Sequence, residues 1–154
     1  MAIYCIDTSA LLDAWVRWYP PDLFPSLWTR IEDLITDGSI IAPEDVLYEL
    51  ERKDDDLSSW ARKHRNMFHA LDEPLQAATN EILSGFPKLV ESRKERSGAD
   101  PFVIALARIT GAAVVTGEKN TGTADRPKIP NVCDAFAIRW ISIVSLIREE
   151  RWIF

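Results

Sequence analysis

Residues 3–13 read IYCIDTSALLD, and the junction at their centre decides the fold. Ile3-Tyr4-Cys5-Ile6 is a short apolar run of strand-forming residues. It stops at Asp7, after which two hydroxyl residues and a fresh apolar run begin. A carboxylate in that place serves as a turn residue, a helix cap or a ligand for something charged. Downstream, Leu11, Leu12, Trp15, Val16 and Tyr19 recur at helical spacing until Pro20-Pro21. A strand that turns directly into a helix is the first half of a strand–helix–strand unit.

The same alternation continues along the chain. Leu27 to Ile35 predicts an amphipathic helix stopped by Asp37-Gly38, and SIIAP (39–43) a buried strand whose proline leads into a helix through Glu51. The stripe of Leu57, Trp60, Ala61, His64, Phe68 and Leu71 predicts one further helix, and Leu75 to Leu83 another. GADPFVIALARITG (98–111) is the best-marked helix, with Pro101 at its first position and Gly111 past its end. AAVVT (112–116) follows as a buried strand, then a polar loop from Gly117 to Lys128, a strand in IRWIS (138–142) and a helix in IVSLIREERW (143–152). Strands separated by helices predict a single α/β domain over residues 1–154, a three-layer α/β/α sandwich around a short, mostly parallel sheet. In such sheets ligands sit beyond the carboxyl ends of the strands.

Composition narrows the class. The 154 residues are 47% hydrophobic and 27% charged, ordinary for a soluble domain. The longest apolar runs fall short of the roughly 18–20 residues that span a bilayer, and the start has no basic region of the signal-peptide kind. Cys5 and Cys133 lack CxxC partners, so a reduced, cytoplasmic protein is expected. A net charge of −6 disfavours a general nucleic-acid coat but says little about a local site.

Four acids occupy telling positions: Asp7 at the end of the first strand, Glu49 in the helix after the second, Asp100 opening a helix, and Glu118 just past AAVVT. Each has a plain alternative. Asp7 and Asp100 can be helix caps, Glu49 can belong to a solvated face with Glu44, Asp45 and Glu51, and Glu118 can be a loop residue. Glu49 nevertheless borders the apolar face of Val46, Leu47 and Leu50. Two carboxylates about 5 Å apart repel by roughly 3 kcal/mol at an effective dielectric near 20. Acids gathered at one mouth therefore titrate upward or hold a cation, and an all-oxygen set suits Mg²⁺ or Mn²⁺. His64 falls on an apolar stripe and reads as a core residue; His69 has no ligand spacing.

In YCIDTSALL, APEDVLYELER, GADPFVIALA and VVTGEK, in that order, nearly the whole chain resembles the PIN-domain family of metal-dependent ribonucleases, which includes the VapC-like toxins of bacterial toxin–antitoxin pairs. The resemblance implies that Asp7, Glu49, Asp100 and Glu118 are catalytic metal-binding acids, with Thr8 and Ser9 orienting the site. It also implies hydrolysis of RNA phosphodiesters with Mg²⁺ or Mn²⁺ to 5′-phosphate and 3′-hydroxyl ends, an antitoxin partner and a homodimer. The fourth acid is usually aspartate in the family; here it is Glu118, and Asp134 in IPNVCDAF is an alternative or supplementary carboxylate. Two basic runs are candidate RNA contacts or solvated faces: Arg62, Lys63 and Arg65, and Lys88, Arg93, Lys94 and Arg96. Trp15, Trp18 and Trp28 are candidates for a partner face or for the core, and Trp60 and Trp140 for the core. Aspartyl-phosphate chemistry wants a second aspartate two residues after the first, where Ser9 stands. A catalytically inactive PIN-like binding module and a housekeeping RNA-processing nuclease are the remaining alternatives.

Overall fold

A computed structural model describes residues 2–91, 98–123 and 125–154. The apolar runs pair as strands β1 (Tyr4–Ile6), β2 (Ile40–Pro43), β3 (Phe68–His69), β4 (Ala113–Val115) and β5 (Trp140–Ile141). They form a five-stranded sheet in the order β3-β2-β1-β4-β5, parallel at every pairing. Every residue of β1, β2 and β4 is buried. Successive strand residues point to opposite faces, so the sheet's centre is covered on both sides and the domain is a three-layer α/β/α sandwich.

The helices are α1 (Thr8–Leu12), α2 (Pro25–Thr36), α3 (Glu44–Leu50), α4 (Asp56–Lys63), α5 (Glu73–Gly85), α6 (Lys88–Glu91), α7 (Asp100–Thr110), α8 (Ile129–Ala135) and α9 (Ile143–Glu149). A π-helical segment, Asp13–Trp18, extends α1. The stop signals act as anticipated: Gly38 (φ 84°) follows α2 and Gly111 (φ 76°) closes α7 in the left-handed conformation that a β-carbon disfavours. Among the described residues no helix is long and apolar enough to cross a membrane.

The long helix expected through Leu71 divides. It ends at Lys63; Arg65–Met67 is a 3₁₀ turn, and Phe68–His69 becomes β3, pairing with Ala42 and Pro43. Leu71 is 44% exposed and so lies off the buried stripe. Two elements unassigned from sequence, α6 and α8, also form. The buried tryptophan cluster answers part of the aromatic question. Trp15, Trp28 and Trp60 meet with ring centroids 4.8–5.7 Å apart, while Trp18 stays 63% exposed. His64 packs against Trp60 at 5.0 Å, with Nε2 3.4 Å from Glu32. Trp140 is half-buried against the core.

Candidate functional site

The strand order reverses direction at β1: the chain goes to one side for β2 and β3, then returns to the other for β4 and β5. The crevice beyond β1 and β4 is thus the place where an open parallel sheet offers a ligand site. Register places the first side chains there. Ile6 pairs with Val115, so Asp7 and Thr116, the next residue on each strand, stand side by side.

Asp7 is 2% exposed and caps α1 through Oδ1, which accepts from the Ala10 amide at 2.8 Å. Ser9 Oγ lies 2.9 Å from both carboxylate oxygens, and Thr116 Oγ1 donates to Oδ2 at 2.7 Å. Burial raises the Asp7 carboxyl from 3.8 to about 7, Glu118 adds repulsion, and the Thr116, Ala10 and Ser9 donors oppose the rise. Both functions anticipated for Asp7 therefore remain compatible: it is a cap, and it is also a buried acid in an acidic mouth.

Glu49 is tied to the same corner. Thr8 Oγ1, on the residue after Asp7, donates to Glu49 Oε1 at 2.5 Å. Glu49 Oε2 is buried and accepts no hydrogen bond. Burial raises the Glu49 carboxyl, against the lowering effects of Thr8 and the nearby Ala99 amide, which closes no hydrogen bond to Oε2. Ala99 immediately precedes Asp100. Glu49 thus sits between the neighbour of Asp7 and the neighbour of Asp100.

Asp100 is 2% exposed and is itself the first residue of α7; Ala99 occupies the cap position, and no side chain caps the helix from there. That corrects its expected role as an N-cap, and Pro101 stands second in the helix. The helix opens without a side-chain cap while a buried carboxylate stands in its first turn. Glu118 follows β4 as expected. Its amide donates to Thr116 Oγ1 at 3.0 Å, and its Oε2 accepts from the Ile129 amide at 3.4 Å, at the start of α8. Asp134 is exposed and fully engaged: Oδ1 accepts from Trp140 Nε1 at 2.9 Å and Oδ2 from Asn120 Nδ2 at 3.2 Å. These bonds tie the loop after β4 to β5.

Cys133 lies within electrostatic reach of the same acids. Desolvation is the main cause raising its thiol, but Asp134, Asp7, Glu118 and Asp100 all add to it. Acids from four separate stretches therefore act on one buried sulfur. Cys5 is raised by burial too, with Asp7 contributing. Both thiols are buried and free, so iodoacetamide at pH 8 is expected to modify neither until denaturant is added, as read by intact mass.

Two contributors escaped sequence reading. Thr116 is the direct partner of Asp7, and only strand register reveals it. Asp13 is a further acid at the rim: a β-carbon on Gly117 would stand 2.3 Å from its Oδ2. Gly117 donates its amide to Ser9 Oγ at 3.0 Å, so the glycine lies clamped between Ser9 and Asp13. The signal for Asp13 was its place on the helix that Asp7 caps.

Among the described residues, no three of His, Cys, Asp and Glu stand close enough to hold one ion together. Of the basic runs, Arg62 is paired with Glu51 and Asp54, and Lys88 with Asp125. Arg93, Lys94 and Arg96 lie outside the described residues.

No curated protein matches the chain. Among solved structures it is similar to the crystal structure of PAE2754 from Pyrobaculum aerophilum, at 16% identity over 97% of each chain with a TM-score of 0.47, too distant to bear on function. Residues 4–154 match the family described as Domain of unknown function (DUF4411), and the chain belongs to that family.

Proposed function

We propose that the chain is a divalent-cation-dependent endoribonuclease whose site is the acidic crevice beyond β1 and β4. The observation that carries this reading is the buried Asp7 carboxylate, fixed by three donors yet raised to about 7, and followed in sequence by Thr8, which binds Glu49, whose other oxygen is buried without a donor. Carboxylates held rigid and short of positive charge suit a hard cation. Mg²⁺ ordinarily keeps several waters and takes one or two protein carboxylates plus substrate phosphate. The absence of a three-acid cage among the described residues is compatible with that mode. Asp7 and Glu49 would hold the ion, with Asp100 next to them and Glu118, whose Oε2 serves the Ile129 amide, in a supporting place. When bound, the cation would polarise a phosphodiester and ease deprotonation of an attacking water. Ser9 and Thr116 keep the Asp7 oxygens aimed, and Thr8 keeps Glu49 from turning away.

The RNA substrate and the VapC-like toxin role rest on the motif resemblance. The antitoxin expectation has one supporting feature: Val16, Trp18 and Leu23 are 63%, 63% and 69% exposed along the π-helical segment and the turn after it. Trp18 is the aromatic among them, a residue type enriched at protein interfaces.

The test is purified protein on defined single-stranded RNAs with Mg²⁺, Mn²⁺ or EDTA. Cleavage is expected with either metal and not with EDTA, leaving 5′-phosphate and 3′-hydroxyl ends. RNA left intact under every condition would reject the nuclease and leave a binding module.

A further inference from the structure

Among the described residues, the loop after β4 is a long irregular segment at the mouth, tied by bonds within itself. Its ends meet where Glu118 Oε2 accepts from the Ile129 amide at 3.4 Å. Inside it, Asn131 Nδ2 donates to Asn120 Oδ1 at 2.6 Å, Lys128 Nζ to Thr121 Oγ1 at 2.8 Å, and the Arg126 amide to Thr123 Oγ1 at 3.1 Å. Gly122 is wedged so tightly that a β-carbon would lie 2.7 Å from Lys128 N and 3.0 Å from Arg126 O. A compact loop with joined ends and its own internal bonds is an Ω-loop, a form often used for function.

Its cations Lys119, Arg126 and Lys128 outnumber its acids Glu118 and Asp125. A polyanion approaching a mouth with Asp7, Asp13, Glu49, Asp100 and Glu118 meets repulsion, in a chain of net charge −6. Nearby cations have to offset that. Arg62 and Lys88 already have acidic partners, whereas Lys119 and Arg126, on the loop, are exposed and meet no acid among the described residues. Asp125, between them in sequence, is paired with Lys88.

We infer that the Ω-loop, described over residues 118–123 and 125–129, is the RNA-holding wall of the site, with Lys119 and Arg126 contacting backbone phosphates on the strand to be cut. The inference rests on the nuclease reading for its substrate. The internal bonds tie the described residues on either side of the two cations to one another, which lowers the ordering cost on binding.

Binding and cutting can be tested apart. A fluorescein-labelled single-stranded RNA is titrated in EDTA and followed by anisotropy at 50–200 mM salt. Lys119→Glu/Arg126→Glu is expected to weaken binding by about tenfold or more and to flatten the log–log salt slope by roughly 0.7 per lost contact. Gly122→Ala keeps every charge but displaces the loop, and is expected to weaken binding while the far-ultraviolet circular dichroism is unchanged. Arg139→Glu, at the amino end of β5 and so at the other end of the strands from the mouth, controls for added negative charge. Unaltered affinity and slope in the double reversal would overturn the inference, as would wild-type protein that fails to bind at 50 mM salt. RNA bound through the loop but never cut with Mn²⁺ would instead count against the nuclease alone.

Discussion

At pH 8 and without metal, Asp7→Asn protein is expected to melt well above the wild type, and at pH 4 the difference is expected to vanish. The cause is the burial of a charge. Asp7 is 2% exposed and titrates near 7 in the folded chain, against 3.8 for the ordinary group. Between those values the folded chain keeps a proton that the unfolded chain has shed. Stability is therefore greatest below the lower value, falls as pH rises through the window, and levels off above about 7. The distance between the two values corresponds to about 4 kcal/mol as an upper figure. Asparagine fills the same volume and never ionises. Its oxygen can keep the Ala10 amide and Ser9, and its amino group can donate to Thr116 Oγ1, whose own proton can turn toward Ser9 Oγ, 3.5 Å away. Allowing for imperfect geometry, a gain of about 2–4 kcal/mol is expected at pH 8, or roughly 5–15 °C in a domain of this size. Thermal melts of both proteins from pH 4 to pH 8 in EDTA decide the matter. Equal melting at pH 8 would mean that Asp7 is not carrying a buried charge.

The fold was legible where a local signal coincided with a tertiary one. Asp7 ends a strand, caps a helix and lies at the switch of strand order, so three separate requirements select the same residue. Gly111 and Gly38 end helices by a conformation that other residues resist. β3 was hidden because two residues cannot display an alternating pattern, and because Phe68 continued the helical spacing of Trp60 and His64 by coincidence. α8 was hidden behind the Gly117–Lys128 loop, where the polar stretch offered no clear starting cap.

The site divides in the same way. Asp7, Glu49 and Asp100 could be selected from their motifs; Thr8, next to Asp7, bonds to Glu49, and Ala99, next to Asp100, lies near it. Thr116 could not, because its importance comes from the Ile6–Val115 register rather than from its sequence neighbours. Asp13, four residues before Arg17, resembles half of an ordinary surface ion pair, and the two do lie 3.9 Å apart. Only the contact with Gly117 shows that its other side borders the crevice. The surroundings of Glu118 and Asp134 needed side-chain direction: Glu118 accepts from the Ile129 amide and repels the Asp7 charge, while Asp134 accepts from Trp140 and Asn120.

Adding a cation should reverse the ranking of the two proteins. Mn²⁺ at roughly a hundred times its dissociation constant stabilises a binding protein by about 2.7 kcal/mol, or some 5–10 °C at this length. That rise is expected in the wild type at pH 8, reduced in Glu49→Gln, and absent in Asp7→Asn, whose neutral side chain has no charge left for the ion. RNA cleavage is expected to fall by about a thousandfold or more in Asp7→Asn, since Lewis-acid stabilisation supplies several kcal/mol to such reactions. Proton competition gives a sharper signature than the loss itself. With Asp7 near 7, the carboxyl at pH 6 is about 90% protonated, so the ion should bind roughly tenfold more weakly there than at pH 8. Calorimetry in two buffers of different ionisation heat should register a proton released on binding at pH 6. An equal Mn²⁺ response in wild type and Asp7→Asn, at both pH values, would place the ion elsewhere and remove Asp7 from the chemistry. If the acid is retained for function at the expense of the fold, its asparagine variant must be more stable without metal, unresponsive to it and inactive.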